Sequence, residues 1–224
     1  MVEHLEDIEI IAETESWVAF DKPCGVSVHN NKGDDLVSFA KEKWPEQDKT
    51  YPINRLDAGT RGVVLFAKNS GSAKHLQQCF EKREVRKHYL ARVQVLKNKP
   101  ELGEEGLWKW PLTNRAEGRN NPKGYWGKRI PCQTLWRITA LHDSESTNSA
   151  ADLYITLLTG RKHQIRRHCA IVGWPILGDP RYGPKESDTH LIGTLIAKEL
   201  TFADPDTKEP VTVVSRYCLP PLEA

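Results

Sequence analysis

The 224-residue sequence has no apolar stretch that approaches about 18 consecutive residues, so it does not predict a membrane protein. Its first residues, MVEHLEDIEIIAE, are acidic and lack the basic region and long apolar core of a signal peptide. Excess charge is also lacking, because 32 basic and 30 acidic side chains leave a formal net charge of +2. With 38% hydrophobic and 28% charged residues, the chain has the composition of an ordinary globular protein. This composition excludes disordered, collagen-like and coiled-coil proteins.

Cysteine pairs and common cofactor motifs are also missing. The five cysteines are scattered, odd in number and never spaced as CxxC, so we expect neither a disulfide framework nor a zinc site, and we predict a cytoplasmic protein. GxxxxGK[ST], GxGxxG and HExxH are absent. His163 and His168 lie five positions apart in a predicted helix, on different faces, so they are not expected to share a metal. We therefore predict no metal and no cofactor, and we interpret the adjacent pair His168 and Cys169 as core packing.

Charge is distributed unevenly along the chain. Residues 1–50 contain 12 acidic and 5 basic side chains, whereas residues 51–100 contain 3 acidic and 11 basic ones. A second basic cluster follows at residues 161–167. These bases form either ordinary solvated faces or a basic cleft for a polyanion, and charge alone leaves both interpretations open.

Hydrophobic periodicity predicts more strands than helices. Strands are expected at residues 17–20, 61–67, 89–95, around 132–140 and 152–158, and within 190–203. Helices are expected at residues 34–44, 70–82 (with Ser70 as the N-cap) and 162–172. Because the helices interrupt the strands irregularly, the pattern favours an α+β fold with a mixed or antiparallel sheet over a regular βαβ array. The length fits one domain or two small ones sharing a core, and we predict a single domain over residues 1–224.

Residues 97–131 differ from the rest of the chain. They are rich in Gly, Pro, Asn and charge, and they contain the aromatic residues Trp108, Trp110, Tyr125 and Trp126. Because linkers seldom carry so many aromatic residues, the segment predicts an excursion with short strands. The excursion either discriminates between substrates or covers a sheet edge.

Three segments contain side chains suited to chemistry. The first, NRLDAGTRG, places Asp57 between Arg55 and Arg61, where it would be an ionised reactive carboxylate or the cap of a turn. The second, RKHYLA, contains Tyr89, whose ring either packs in the core or stacks on a planar base. The third, TGRKHQIRRH, begins a helix with basic residues, which suits an anion site, and one of its arginines could reach Asp57.

These segments resemble the RluA family of RNA pseudouridine synthases. The matching motifs are NRLDAGTRGVVLFAK, RKHYLARV, TGRKHQIRRH with PILGDPRYG, and DKPCGVSVH, in this order and spacing. The resemblance covers roughly residues 16–203, with only 97–131 poorly matched. It implies the pseudouridine synthase fold: a mixed, largely antiparallel central sheet flanked by helices and loops, with an active-site cleft across it. It also implies ribosomal or transfer RNA as the partner and a stand-alone catalytic domain without the S4-type RNA-binding domain, and we expect a monomer.

The resemblance also assigns roles by position. Asp57 matches the catalytic aspartate, Tyr89 the tyrosine that stacks on the target base, and Arg166 the arginine that salt-bridges the aspartate. Arg55 matches an arginine implicated in displacing the target nucleotide, and Leu195 an apolar residue that packs against the uracil. The residues expected to bind RNA are Arg55, Arg61, Lys87, Arg161, Lys162 and Arg167.

The sequence departs from the family pattern at three of these places. Asn54 stands where the family commonly has His, Arg61 where it has Ser, and Ile196 where it often has His. None of the three removes a catalytic role, but we expect the departures to influence which RNA fits.

Two rival functions follow from the same residues. One is a catalytically silent RNA-binding module of the same fold, which the presence of Asp57, Tyr89 and Arg166 disfavours. The other is a hydrolase using Asp57 or Asp179 with His163, which lacks a convincing nucleophile–base pair.

Overall fold

The computed structural model describes residues 7–29, 35–46, 50–115, 118–124, 127–142, 149–184 and 193–221. In chain order its elements are β1 (Glu9–Glu13), β2 (Trp17–Lys22), α1 (Leu36–Lys43), β3 (Tyr51–Pro52), β4 (Arg61–Ala67), α2 (Ser70–Glu81), β5 (Arg86–Gln94), β6 (Glu105–Trp108), β7 (Leu112–Thr113), β8 (Arg129–Ile130), β9 (Thr134–His142), β10 (Ala150–Leu157), α3 (Gln164–Val172), β11 (Leu195–Ala203) and β12 (Pro210–Val214). The α+β class and the mixed, mostly antiparallel sheet are confirmed. The pattern did not predict the short strands β1, β3 and β12.

The chain divides into two compact units, residues 1–87 with 196–217 and residues 88–195 with 218–224. The single domain over residues 1–224 stays a prediction.

The first unit contains a mixed sheet. Its strands follow the order β1, β2, β4 and β11. Strand β2 is antiparallel to β4, and β11 is parallel to β4. Strand β3 pairs with β4, and β12 pairs with β11. Gly62 of β4 is paired with Ala197 of β11 and has a φ of 109°. A Cβ at Gly62 would lie 2.2 Å from the carbonyl oxygen of Ala197, so only glycine permits this approach.

Two apolar layers cover this sheet. One buries α2 through Ala73, Leu76 and Cys79, and the other buries α1 through Leu36 and Ala40. Helix α2 begins one residue earlier than the sequence indicates, because Asn69 is its N-cap: the side chain accepts a hydrogen bond from the Ser72 N–H at 2.8 Å. The prediction of Ser70 as the cap is therefore wrong.

The second unit contains an antiparallel sheet in the order β5, β10, β9 and β6. Helix α3 packs on it through Ile165 and Cys169, in a core that also buries Trp108, Trp136 and Trp174. The excursion 97–131 contains the short strands β6, β7 and β8, as predicted. Its residues Tyr125 and Trp126 lie outside the described residues.

Candidate active site

Asp57 lies in the loop between β3 and β4, in the first unit. The residue is half-buried, and its carbonyl oxygen accepts a hydrogen bond from the Thr60 N–H at 2.9 Å, which closes a tight turn. The next carbonyl, that of Ala58, accepts from the Gly25 N–H at 2.9 Å. The backbone on the C-terminal side of the carboxylate is therefore fixed by a second segment of the chain.

That second segment contains a fully buried lysine, Lys22. Its Nζ donates to the carbonyl oxygens of Pro23 (2.8 Å), Val26 (2.7 Å) and Ala58 (3.1 Å). Burying an ammonium group is costly unless its donors are satisfied, and here three carbonyl dipoles surround it. Lys22 thus connects the turn of the DKPCG motif to the loop that carries Asp57.

Asn54 connects the other side of the loop to β4. Its side-chain Oδ1 accepts from the Leu65 N–H at 2.7 Å, and its Nδ2 donates to the Val63 carbonyl at 3.1 Å. The side chain therefore makes the two hydrogen bonds that a neighbouring strand would make, which gives this departure from the family pattern a structural reason.

Arg55 and Arg61 flank the carboxylate along the chain. Arg55 is exposed, and its Nη1 lies 3.1 Å from Nε2 of His29. Arg61 is half-buried, with its Cζ 5.1 Å from the ring centroid of Tyr217, a cation–π contact.

Lys87, also expected to bind RNA, is half-buried at the start of β5. Its Nζ lies 5.8 Å from the ring centroid of Phe80. Burial lowers the pKa of Lys87, and the nearby charge of Arg83 lowers it further.

Tyr89 and Leu195 lie in the second unit, in the same apolar cluster. Leu195 is buried, and the half-buried Tyr89 packs against the cluster formed with Ile165 and Cys169 of α3. The structure therefore brings the two proposed base-binding residues to the core under α3. Ile196, the other departure, is fully buried in the first unit.

Arg166, in the first turn of α3, is held by Asp179. Its Nε donates to Oδ2 at 2.7 Å and its Nη2 to Oδ1 at 2.9 Å, the two-bond geometry that suits a guanidinium and a carboxylate. The guanidinium carbon also lies 5.2 Å from the ring centroid of Tyr182, whose hydroxyl forms a 3.0 Å hydrogen bond with Nδ1 of His163. Asp179 and Tyr182 thus fix the direction of Arg166, and His163 holds Tyr182.

Asp179 is almost fully buried and still ionised. Burial alone would raise the pKa of its carboxyl, but hydrogen bonds and charge from Arg166 outweigh that effect and keep the pKa below 3.8. The backbone N–H groups of Arg181 and Tyr182 also donate to the carboxylate, at 2.9 and 3.1 Å.

The start of α3 is basic, as predicted. Arg161 is half-buried, Lys162 is exposed, and the N-cap residue His163 has a left-handed backbone with a φ of 54°. This conformation is uncommon for a residue other than glycine. The His163 side chain does not cap the helix but reaches Tyr182.

Arg167 was expected to bind RNA, and the structure places it in the interior instead. The side chain is fully buried, and its Nη1 and Nη2 donate to the carbonyl oxygens of Thr113 (2.7 Å) and Lys123 (3.0 Å), while Nε donates to that of Pro122. A guanidinium enclosed by backbone carbonyls is out of reach of RNA. We therefore correct this prediction: Arg167 has a structural role.

His168 and Cys169 are both fully buried, as the interpretation of core packing requires. Nδ1 of His168 lies 3.0 Å from Thr134 Oγ1, and Nε2 lies 2.9 Å from the Trp110 carbonyl oxygen. Within the described ranges, no three His, Cys, Asp or Glu side chains are grouped in a way that could hold a metal ion. No helix in the described part of the chain is long and apolar enough to span a membrane.

The sequence did not predict the structural roles of three residues beside Asp57 and Arg166. Lys22 fixes the Asp57 loop, and Asp179 and Tyr182 hold Arg166. Lys22 lies in the motif DKPCG, and Asp179 and Tyr182 lie in PILGDPRYG, but their contacts depend on other parts of the chain.

Comparison with known proteins gives a consistent result. A family model described as RNA pseudouridylate synthase matches residues 16–171. The chain is 32% identical over 207 residues to the dual-specificity RNA pseudouridine synthase RluA of Pasteurella multocida, covering 90% of each chain. It is 29% identical over 223 residues to tRNA pseudouridine synthase C of Haemophilus ducreyi, covering 92% of this chain and 90% of the relative. The solved structure of Human RNA Pseudouridylate Synthase Domain Containing 1 has a similar fold, with a TM-score of 0.76 and 22% identity over 96% of this chain and 85% of that one.

Proposed function

Given that the chain belongs to the RNA pseudouridylate synthase family and is therefore an isomerase, we propose that it converts particular uridines of ribosomal or transfer RNA to pseudouridine, with Asp57 acting on the ribose. The observation that carries the proposal is the position of the half-buried residue Asp57 in a loop whose backbone is fixed by Lys22 and Gly25. A fixed carboxylate is what a reaction at one ribose carbon requires.

The reaction exchanges one bond to C1′ for another. The N1–C1′ bond of uridine breaks, the uracil turns, and a C5–C1′ bond forms, after which C5 loses its proton and N1 gains one. Glycoside hydrolysis usually needs two carboxylates, one to protonate the leaving group and one to attack or to activate water. Here no water is added and the departing uracil anion is stabilised by resonance, so one carboxylate is sufficient.

Asp57 can serve this reaction in two ways. It attacks C1′ as a nucleophile, or it removes the proton at C2′ as a base. Both routes need an ionised carboxylate beside the sugar, and both stay open.

The other roles follow from the resemblance and from the surroundings of each residue. We propose that Tyr89 stacks on the flipped uracil and that Leu195 packs beside it, since both belong to the apolar cluster under α3. Arg166 is the proposed salt-bridge partner of the catalytic aspartate. Its guanidinium, fixed by Asp179 and Tyr182, suits that role because its direction is set before substrate arrives.

The RNA class is proposed from the relatives. One relative is named for tRNA and the other for dual specificity. We therefore expect a ribosomal or transfer RNA stem-loop as the substrate. The cytoplasmic location and the monomeric state stay predictions.

Asp57→Asn tests the catalytic assignment. The substitution preserves size but removes the charge, so we expect tritium release from RNA containing [5-³H]uridine to fall by at least about 100- to 10,000-fold. RNA transcribed in cells that lack the gene is the substrate, so that target uridines are unmodified.

Asp7→Asn, at an exposed position, is the matched control and should retain full activity. Full tritium release by Asp57→Asn would contradict the catalytic role. No release by the unaltered protein, with RNA still bound, would instead support the catalytically silent module.

A further inference from the structure

Two neighbouring segments of the second unit are rich in positive charge. Residues 106–133 contain Glu117 as their one acid, against the bases Lys109, Arg115, Arg119, Lys123, Lys128 and Arg129. Residues 158–184 contain Asp179 as their one acid, against Arg161, Lys162, Arg166, Arg167 and Arg181. In the described part of these segments Asp179 is therefore the only carboxylate, and it is buried against Arg166. The bases therefore far outnumber the acids in both segments.

The described residues between 109 and 130, called here the basic arm, are joined to the start of α3. The buried side chain of Arg167 makes this connection. It donates hydrogen bonds to the carbonyls of Thr113, Pro122 and Lys123 on the arm and to that of Lys162 before the helix. A guanidinium with several carbonyl acceptors is held rigidly, because each bond fixes its plane.

A second contact joins the arm to the loop that follows α3. Nη2 of Arg119 donates to the Pro180 carbonyl at 2.9 Å, next to the exposed Arg181. The arm, the start of α3 and the loop around Arg181 therefore form one connected basic surface.

The exposed residues in the described part of the arm suit phosphate better than a protein partner. Between residues 111 and 131, the described exposed positions are Pro111, Asn114, Arg115, Asn120, Gly127, Lys128, Arg129 and Pro131. None of these is a large apolar side chain, whereas protein interfaces are anchored by aromatic and apolar residues. Arginine, lysine and asparagine are the usual ligands of a phosphate backbone.

We propose that the basic arm binds the phosphate backbone of the substrate RNA and that buried Arg167 holds it in place for that purpose. This inference rests on the proposed function, since it assumes an RNA substrate. It places the contact within the excursion 97–131 and assigns Arg167 an indirect part in binding RNA.

The test removes three exposed charges from the arm: Arg115→Gln, Lys128→Gln and Arg129→Gln in one protein. The matched control removes three exposed charges from the first unit, Lys41→Gln, Lys43→Gln and Lys74→Gln. Both are made in the Asp57→Asn background, so that binding is measured without turnover. The probe is fluorescein-labelled unfractionated tRNA, with a fragment of ribosomal RNA as the second probe.

We expect the arm variant to bind at least about 10-fold more weakly at moderate salt. The slope of log Kd against log salt should fall by about 2, because each phosphate contact contributes roughly 0.7 to 0.9 to that slope. The control variant should weaken binding by less than about 3-fold and should change the slope by less than about 1. Equal effects of the two variants on both probes would overturn the proposal, as would arm-dependent binding of poly-glutamate with unchanged binding of RNA.

Arg167→Met tests whether the hydrogen bonds of Arg167 hold the arm in place. It should weaken RNA binding like the arm variant although its side chain cannot contact RNA. If Arg167→Met does not fold, the arm variant decides alone, since its three positions are exposed. Retained tritium release by Asp57→Asn would refute the catalytic role and leave the arm result valid.

Discussion

Arg166 and Arg167 are adjacent in α3 and lie in different environments. Successive residues of an α-helix point about 100° apart, so one faces Asp179 and Tyr182 while the other enters the interior. In the sequence both are arginines of one basic cluster. Their difference arises because the basic arm folds back over Arg167 and supplies its carbonyl acceptors.

Tyr182 is predicted to position Arg166 through its ring. Tyr182→Phe keeps the ring and loses the hydrogen bond to His163, so single-turnover tritium release should stay within about 3-fold of the unaltered protein. Tyr182→Leu loses the cation–π contact, worth about 0.5–2 kcal/mol, and should lower that rate by about 3- to 30-fold.

Thermal unfolding of both variants serves as the control for the fold. An equal loss of rate in the two variants at equal stability would assign the effect to the phenol group instead of the ring.

At the scale of elements, two segments far apart in the chain fix the candidate catalytic loop. The turn after β2 reaches the loop before β4 through Lys22 and Gly25, and Asn54 ties the same loop to β4. Turns and strands here follow the predicted positions closely, since the apolar runs are long and the glycine and proline signals are clear. The contact between the segments requires the tertiary structure.

Lys22→Met tests this connection. The substitution preserves length but leaves the buried carbonyl oxygens of Pro23 and Val26 without their ammonium donor and removes the hydrogen bond to Ala58, so we expect the free energy of unfolding to fall by about 2–4 kcal/mol. Urea denaturation measures the change.

Lys41→Met, at an exposed position of α1, is the matched control and should change stability by less than about 0.5 kcal/mol. A loss in Lys22→Met no larger than in this control would show that the three hydrogen bonds do not stabilise the loop.

At the scale of the whole molecule, a net charge of +2 conceals both an acidic first fifty residues and the basic segments of the second unit. Several charged groups are instead buried within each unit: Lys22 among carbonyls, Arg92 with Asp152, and Arg166 with Asp179. Total charge therefore says little about the partner, because each surface meets its ligand separately.

The pH dependence of stability should reflect His168. Burial lowers the pKa of His168 below its ordinary 6.5. Below pH 6.5, His168 is therefore protonated more fully in the unfolded chain than in the native state. The full stabilisation is present above pH 6.5 and is lost as the pH falls below it, by up to about 1.4 kcal/mol per pH unit.

Urea denaturation at pH 7.5 and pH 5.5 checks this, with His168→Gln expected to show a smaller difference between the two values. The carboxyls of Asp152, Asp179 and Asp204 do not interfere, because their pKa values lie below 3.8. A difference as large in His168→Gln as in the unaltered protein would assign the pH dependence to other groups.

The sequence alone determined the α+β class, most strands, all three helices and the family, because periodicity, turn residues and short motifs are local properties of the chain. Asp57, Tyr89 and Arg166 could be named for the same reason, and their catalytic roles stay proposals. Only the tertiary structure decided that Arg167 is buried, that Lys22 holds the Asp57 loop and that Asp179 and Tyr182 hold Arg166. These facts depend on which backbone carbonyls, carboxylates and rings surround a charged group. Partners such as Asp179 of Arg166, Ala58 of Lys22 and Thr113 of Arg167 lie 13 to 54 positions away in the chain, so only folding brings them together.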